Sequence, residues 1–518
     1  MDTSTGILFT DQYQLTMAQL YFKLGWHEKM VQFEHYFRNY PNYGAHKAGF
    51  CVAAGLEPLC TWMHNARFGK SEIQLLASQR DSRNQRIFHD DFLDYLEKNA
   101  AFDGLTIEAI PEGRIVHPYV PLSVVQGPMI QAQLLETALL NKLNFQTLIA
   151  TKAARIKLAA HGQLCLEFGL RRGQDFGANA ATRAALIGGA DFSSNVGLSH
   201  TLGLLPKGTH AHSLVQLFLS MGYSELDAFR AFAELYPDNC TLLVDTINTL
   251  ESGIPNAIVV FKEMKKKGQL PRGIRIDSGD LAYLCIQAAK MLNKSGFEDV
   301  SIVLSNDLDE LTIWQIISQI EEDAKKEGLD ADKLVKRLVY GVGTKLITSW
   351  GSPALGGVYK LTAVKENGSW KPSIKASETI QKSPNPGLKK VWRVYDNRDK
   401  AIADVISSPE ENILLEEKLR LYHPTDFAKF RSIRRENIKS AEMLLKKIFD
   451  RGLPCNDFPS LSAMRQVKEI DIQHLDSGVL RLINPHIYHV SLTEKLFDIK
   501  QKLLKQYNAF PENGSLTK

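Results

Sequence analysis

The chain has 518 residues, more than one hydrophobic core serves, so about two to four domains are expected. An apolar fraction of 44% and a charged fraction of 23% are ordinary for a globular protein, and 62 Lys plus Arg against 58 Asp plus Glu leave a net charge of +4. The two signs are interspersed, which argues against nucleic acid as a partner; no run approaches the roughly 18 apolar residues of a membrane span, and the N-terminus lacks a secretory pattern.

Asp11 to Phe22 has helical apolar spacing, and Val31 to Tyr36 alternates like a strand. Ser71 to Lys98 reads as helical and charged, Thr106 to Val125 as short strands broken by Pro111, Pro118 and Pro121, and Met129 to Ala160 as a long helix. From Leu164 short apolar runs alternate with helical segments, the rhythm of parallel strands with crossover helices. Strands are expected at 164–169, 190–195, 208–212, 240–245, 273–277, 301–306 and 337–343. Between them, the run from Lys262 to Lys267 before Gly268 reads as a helix C-terminus whose lysines complement the dipole. After about residue 357 the rhythm breaks. Gly357 to Val364 and Trp392 to Val394 look like strands, and residues 409–450 look charged and helical. The six cysteines show no C-x-x-C spacing and are expected to be reduced thiols in a cytoplasmic protein.

Polar residues or glycine close every expected strand: Phe168 with Arg171 and Arg172; Ser193 to Asn195; His212; Asp245 and Thr246; Arg275, Asp277 and Asp280; Ser305 to Asp307; Gly341 to Thr344. Seven such ends in succession predict a barrel-like α/β domain with one large site at the carboxyl ends of its strands.

RIDSGD (275–280) is the sharpest motif. Two carboxylates three apart flank Ser-Gly between a strand and a helix. Asp280 reads as a helix cap, and Asp277, with Arg275 on the same face, as functional. Carboxylates beside a phosphate ligand usually share Mg²⁺. SNDLDE (305–310), with Asn306, and YGVGTKL (340–346), with Gly343 and Thr344, are strand-to-helix turns that could cap helices or cradle phosphate. Asp245 could equally contact Mg²⁺, contact a ribose or cap a helix. In GTHAHS (208–213), His210 and His212 lack a third ligand for zinc, and no G-x-S-x-G elbow exists to make a hydrolase. A histidine among arginines and phosphate-type turns would instead meet phosphate, as acid, base or phosphoryl acceptor.

Taken in order, TDQYQLTMAQLYF (10–22), FEHYFRNYP (33–41), EFGLRRGQ (167–174), GGADFSSNVG (188–197), GTHAHS, RIDSGDL (275–281), SNDLDE and the stretch from GVGTK to SPALGGVYKL (341–361) resemble nicotinate phosphoribosyltransferases. The resemblance is clearest from about residue 8 to 365. It implies synthesis of nicotinate mononucleotide and pyrophosphate from nicotinate and phosphoribosyl pyrophosphate, coupled to ATP hydrolysis, with Mg²⁺, in NAD salvage. It implies an α/β fold: an irregular α/β barrel over 129–360, an N-terminal α+β domain over 1–128 serving the partner's site in a homodimer, and a C-terminal extension over 361–518. His212 then matches the phosphorylated histidine and His210 is structural. Tyr13 matches the partner's ring-stacking tyrosine, and Phe168 the aromatic on the other ring face. Thr209 and Arg275 match nicotinate contacts; Arg171, Asp277, Gly343 and Thr344 match positions around the sugar-phosphate and pyrophosphate. Ser193-Ser194-Asn195 stands where relatives often carry Thr-Ser-Asn, and PNYGAH (41–46) is looser than the usual pattern. Two rival readings are a nicotinamide phosphoribosyltransferase, kept open by Asp191 as an amide acceptor, and a nucleotide-sensing barrel without turnover.

Overall fold

The computed structural model describes residues 4–375, 382–455 and 457–508. By contact the chain forms two units, one of residues up to Leu148 together with those from Ala354, the other Ile149–Pro353. The divisions thus fall at 148 and 353 rather than at the expected 128 and 360, and the N- and C-terminal regions share one unit. Pairing explains the second shift: the strand Val358–Glu366 lies antiparallel along Met30–Tyr36. Packing explains the first: Met129, Leu135, Leu139 and Leu143 belong to the same core as Phe33, Phe92 and Tyr359.

The first unit holds two large mixed or antiparallel sheets and a two-stranded one, Cys51–Val52 with Ile115–Val116. One orders its strands as Ser369–Pro372, Val358–Glu366, Met30–Tyr36, Ser123–Pro128, Thr106–Ala109, Lys446–Asp450 and Leu453–Pro454. The helix Gln12–Lys23 forms as its spacing predicts, whereas the expected helix over 71–98 is two, Lys70–Ser78 and Asp90–Asn99. Residues 409–450 are strands, not helix: Lys418–Tyr422, Phe430–Arg434, Ser440–Met443 and Lys446–Asp450. Their charged residues alternate outward while Leu419, Leu421 and Ile433 enter the core of the second sheet. Arg393, fully buried, ties three parts of this unit together. It is bidentate to Asp404 at 2.9 Å, and it donates to Asp471 at 3.2 Å and to the Ile115 carbonyl at 2.8 Å.

The second unit is built on six parallel strands, ordered Phe192–Ser193, Leu164–Glu167, Leu338–Val342, Ser301–Ser305, Gly273–Ile276 and Thr241–Leu243. The crossover helices start on the caps the sequence supplies. Asp280 accepts from the Tyr283 N–H, Asp309 from Thr312, and Ser224 with Asp227 forms a capping box for Glu225–Leu235. The lysine run ends the helix Ile254–Lys266, and Gly268 follows at φ +74°.

The third of the seven expected strands, 208–212, does not form. Residues 208–211 are irregular and His212 opens the helix His212–Ser220. The segment still bonds on both sides: the Lys207 N–H donates to the Ser193 carbonyl, and the Leu243 N–H donates to His210 Nε2 at 3.1 Å. A side chain thus takes the place of a backbone ladder at that edge.

The six cysteines are free thiols, five of them buried. No helix among the described residues is long and apolar enough to cross a membrane.

Candidate active site

Strands Leu164–Glu167, Gly273–Ile276, Ser301–Ser305 and Leu338–Val342 deliver their carboxyl ends to one cleft of about 150 Å³. Phe168, Arg171, Arg172, Arg275, Asp277, Ser305, Asn306, Asp307, Gly341, Gly343 and Thr344 line it. Arg275 is the hub. Its Nε donates to Ser305 at 2.9 Å, Nη1 to Thr209 at 3.1 Å and Nη2 to Asp277 at 3.2 Å, while its guanidinium lies 5.7 Å from the centre of the Phe168 ring. Ser305 in turn donates to Asp277 at 2.6 Å. Three of the five N–H groups of Arg275 are engaged in this way, leaving two.

Phe168 reaches its place because Gly341 has no side chain: a Cβ there would lie 2.7 Å from two ring carbons. At the end of Ser301–Ser305 the chain turns through Asn306 at φ +125° and Asp307 at φ +42°, a conformation non-glycine residues rarely adopt. That turn leads into the helix Glu310–Lys326, whose cap Asp309 also pairs with Lys345 at 3.2 Å and is held below the usual carboxylate range by its bonds to Thr312 and by that lysine, against desolvation.

His212 stands beside this cluster. Its Nδ1 lies 3.0 Å from the Thr246 hydroxyl, and its Nε2 lies 3.9 Å from Asp245 Oδ1 and 3.9 Å from Asp277 Oδ2. Asp245 is almost fully buried. Its Oδ2 accepts from the Asp277 N–H at 2.9 Å and from the Ser278 hydroxyl at 2.6 Å, while Oδ1 finds no hydrogen-bond partner among the described residues. His210 is packed against Phe232 and bonded to the Leu243 N–H; burial lowers its pKa. It is a structural histidine.

The structure therefore brings together His212, Asp277, Asp245, Thr209, Arg275, Phe168, Arg171, Asn306, Gly343 and Thr344. Tyr13 belongs to the other unit, on the helix Gln12–Lys23, with its side chain about half exposed. Asp191 is engaged elsewhere: its carboxylate meets Lys157 at 2.8 Å and accepts from the Cys165 N–H at 2.8 Å. Glu167 lies outside the residues that the strand-end pattern singles out. It is fully buried and accepts from Thr182 at 3.0 Å, from Ser193 at 2.6 Å and from the Gly169 N–H, bracing the turn that carries Phe168. A charge inside the apolar run LCLE was its signal.

Three family models match in sequence order: the nicotinate phosphoribosyltransferase (NAPRTase) N-terminal domain over residues 8–144, the NAPRTase family over 164–398 and the C-terminal domain over 388–500. The chain belongs to the nicotinate phosphoribosyltransferase family. It is 38% identical to a member from Bacillus subtilis (strain 168) over 96% of this chain and 95% of that one. It is 31% identical to the Homo sapiens member, over 94% and 95%. The crystal structure of human nicotinic acid phosphoribosyltransferase superposes with a TM-score of 0.78 at 28% identity, covering 95% of this chain and 99% of that one.

Proposed function

We propose that this chain joins nicotinate to 5-phosphoribosyl 1-pyrophosphate, yielding nicotinate mononucleotide and pyrophosphate, while ATP is hydrolysed through a phosphohistidine at His212. The observation that carries this is the imidazole fixed by Thr246 with Nε2 equidistant from two carboxylates, beside a cleft of arginines and strand-end amides. With the Thr246 hydroxyl accepting from Nδ1–H, Nε2 keeps its lone pair. It attacks the γ-phosphorus of ATP, the N–P bond forming as the P–O bond to ADP breaks, and Asp245 and Asp277 offset the positive charge left on the ring. Water later cleaves the N–P bond and releases phosphate.

In the ribosyl step the bond from C1 to pyrophosphate breaks and the pyridine nitrogen supplies the electron pair for the new C–N bond. That nitrogen carries no proton, so no base is needed; the task is alignment. The two unengaged N–H groups of Arg275 suit the nicotinate carboxylate, and Phe168 suits one ring face. Arg171, Asn306 and the amides of Gly343 and Thr344 suit the phosphates. Among the described residues no group of three or more His, Cys, Asp or Glu could hold a metal alone. Asp245, with its unpartnered Oδ1, and Asp277 fit Mg²⁺ shared with substrate phosphates, which when bound would offset the charge of the leaving pyrophosphate.

The bonds on either side of residues 207–210 fit an irregular α/β barrel. A homodimer in which Tyr13 serves the partner's site fits the exposed apolar side chains of Phe176, Val196, Leu205, Leu217 and Met221. The free thiols fit a cytoplasmic protein.

The test is nucleotide formation from nicotinate and from nicotinamide, each with phosphoribosyl pyrophosphate and Mg²⁺, with and without ATP. Turnover of nicotinate that rises with ATP is expected, with acid-labile phosphorylation lost in His212→Asn and kept in His210→Asn. Turnover of nicotinamide alone, or the reverse labelling pattern, defeats the proposal. Sedimentation tests the dimer: a fully active monomer defeats it.

A further inference from the structure

A larger cavity, about 850 Å³, lies wholly within the first unit and shares no residue with the cleft. Its volume falls in the range of roughly 300–1,000 Å³ that suits an enclosed small molecule. Its charged lining is of one sign, Arg38, Lys47, Lys429 and Arg431, with no Asp or Glu, and His423 and His489 stand beside them. Lys429 pairs with Asp426 at 2.8 Å. Arg38 and Arg431 meet no carboxylate among the described residues, and the Nε of each is buried without a hydrogen-bond partner. Arg38 lies 5.9 Å from the centre of the Tyr36 ring and donates to the Lys382 carbonyl at 3.5 Å, and Arg431 donates to the Ile402 carbonyl at 3.2 Å.

Three other buried guanidinium groups are paired with carboxylates, and Arg337, which meets none among the described residues, spends its donors on Val300, Asn293 and Phe297 instead. Arg114 meets Glu442 and Asp471, Arg155 meets Glu310, and Arg393 meets Asp404 and Asp471. A buried cation without a counter-charge is costly, and here the cost is visible. Burial lowers Arg431 to about 10, and desolvation with the charge of Arg431 lowers His489 to about 4. His423 uses Nδ1 to accept from the Thr425 and Asp426 amides, which leaves Nε2 for another partner.

The same wall carries rings. Phe430 is 56% exposed, and Tyr119 is held at φ +68°, a strained conformation for a tyrosine. Two guanidinium groups without a carboxylate ask for phosphate, and the exposed Phe430 ring, with the half-buried Tyr119 nearby, asks for a flat ring. We propose that this cavity is a second nucleotide site, separate from the reaction cleft, with the phosphates on Arg38 and Arg431 and the base against Phe430 and Tyr119.

The experiment is photolabelling of the full-length protein with 8-azido-ATP, followed by peptide mapping. Label is expected on the segments 418–431 or 484–491 and is reduced at least about fivefold in Arg431→Gln. Lys47→Gln, an exposed position, gives the same direction of change if Arg431→Gln does not fold. Competition by ATP is expected to exceed competition by pyrophosphate. Label confined to peptides bearing Phe168 or Thr344, labelling undiminished in both variants, or pyrophosphate competing as well as ATP would each overturn the proposal. Because the readout is the labelled peptide, it stands apart from whether the cleft turns over nicotinate.

Discussion

His210 and His212 differ in what their nitrogens meet. His210 spends both, one near the Ala211 carbonyl at 3.3 Å and one on the Leu243 N–H; His212 spends one on Thr246 and keeps the other between two carboxylates. Thr246→Val removes the group that orients the ring, so phosphohistidine formation should fall about tenfold, the equivalent of one net hydrogen bond, with the KM for nicotinate unchanged. Acid-labile phosphate incorporation measures this, and wild-type incorporation would sink the idea. Gly341→Ala should displace Phe168 and raise the KM for nicotinate about fivefold, as expected for loss of one aromatic contact; steady-state kinetics would decide it. Most of these residues were legible because each closes an apolar run. Glu167 was not, because Thr182 and Ser193, which explain it, lie 15 and 26 residues away and meet it only in the fold.

Elements were readable where rhythm and punctuation agreed. The crossover helices carry their caps in sequence, and Ser224→Ala, which breaks a capping box, should cost about 1 kcal/mol and lower that unit's melting midpoint by about 3 °C. Calorimetry that shows no shift would mean the cap is idle. Reading failed where local pattern and long-range pairing diverged. GTHAH has strand-like residues, but His210 bonds the neighbouring strand through its ring, so the backbone ladder is not needed there. Residues 409–450 have the charge density of a surface helix. Lys418–Tyr422 and Phe430–Arg434 pair with each other, but Thr106–Ala109, Lys390–Tyr395 and Val490–Thr493, which tie the stretch into its sheets, lie outside it, and nothing local announces those pairings.

The whole molecule carries a pH signature. Burial lowers His35 to about 4 and His117 well below the ordinary histidine value, and it lowers His210 as well. Unfolded, each takes a proton near pH 6.5; folded, each resists it. Protons therefore favour the unfolded chain below pH 6.5. The stability that His35 provides is complete above that value and is lost as pH falls toward 4, at about 1.4 kcal/mol per pH unit, and His117 and His210 act in the same direction. Denaturant titrations at pH 7.5 and 5.5 should show the lower stability at 5.5. Equal values would mean the rings are not buried neutral.

The first unit is assembled from both ends of the chain, while the second is continuous in sequence. On the ribosome this sets an order. Residues 149–353 can complete their parallel sheet as soon as they emerge, but the strand Met30–Tyr36, made early, waits for Val358–Glu366 to cover its edge. Arg393 waits longer still, since Asp471 follows it by 78 residues. For most of synthesis the nascent chain therefore carries an unpaired strand edge of the kind that recruits other chains. Its yield in a cell should depend on translation speed and chaperone supply more than the stability of the finished enzyme would suggest.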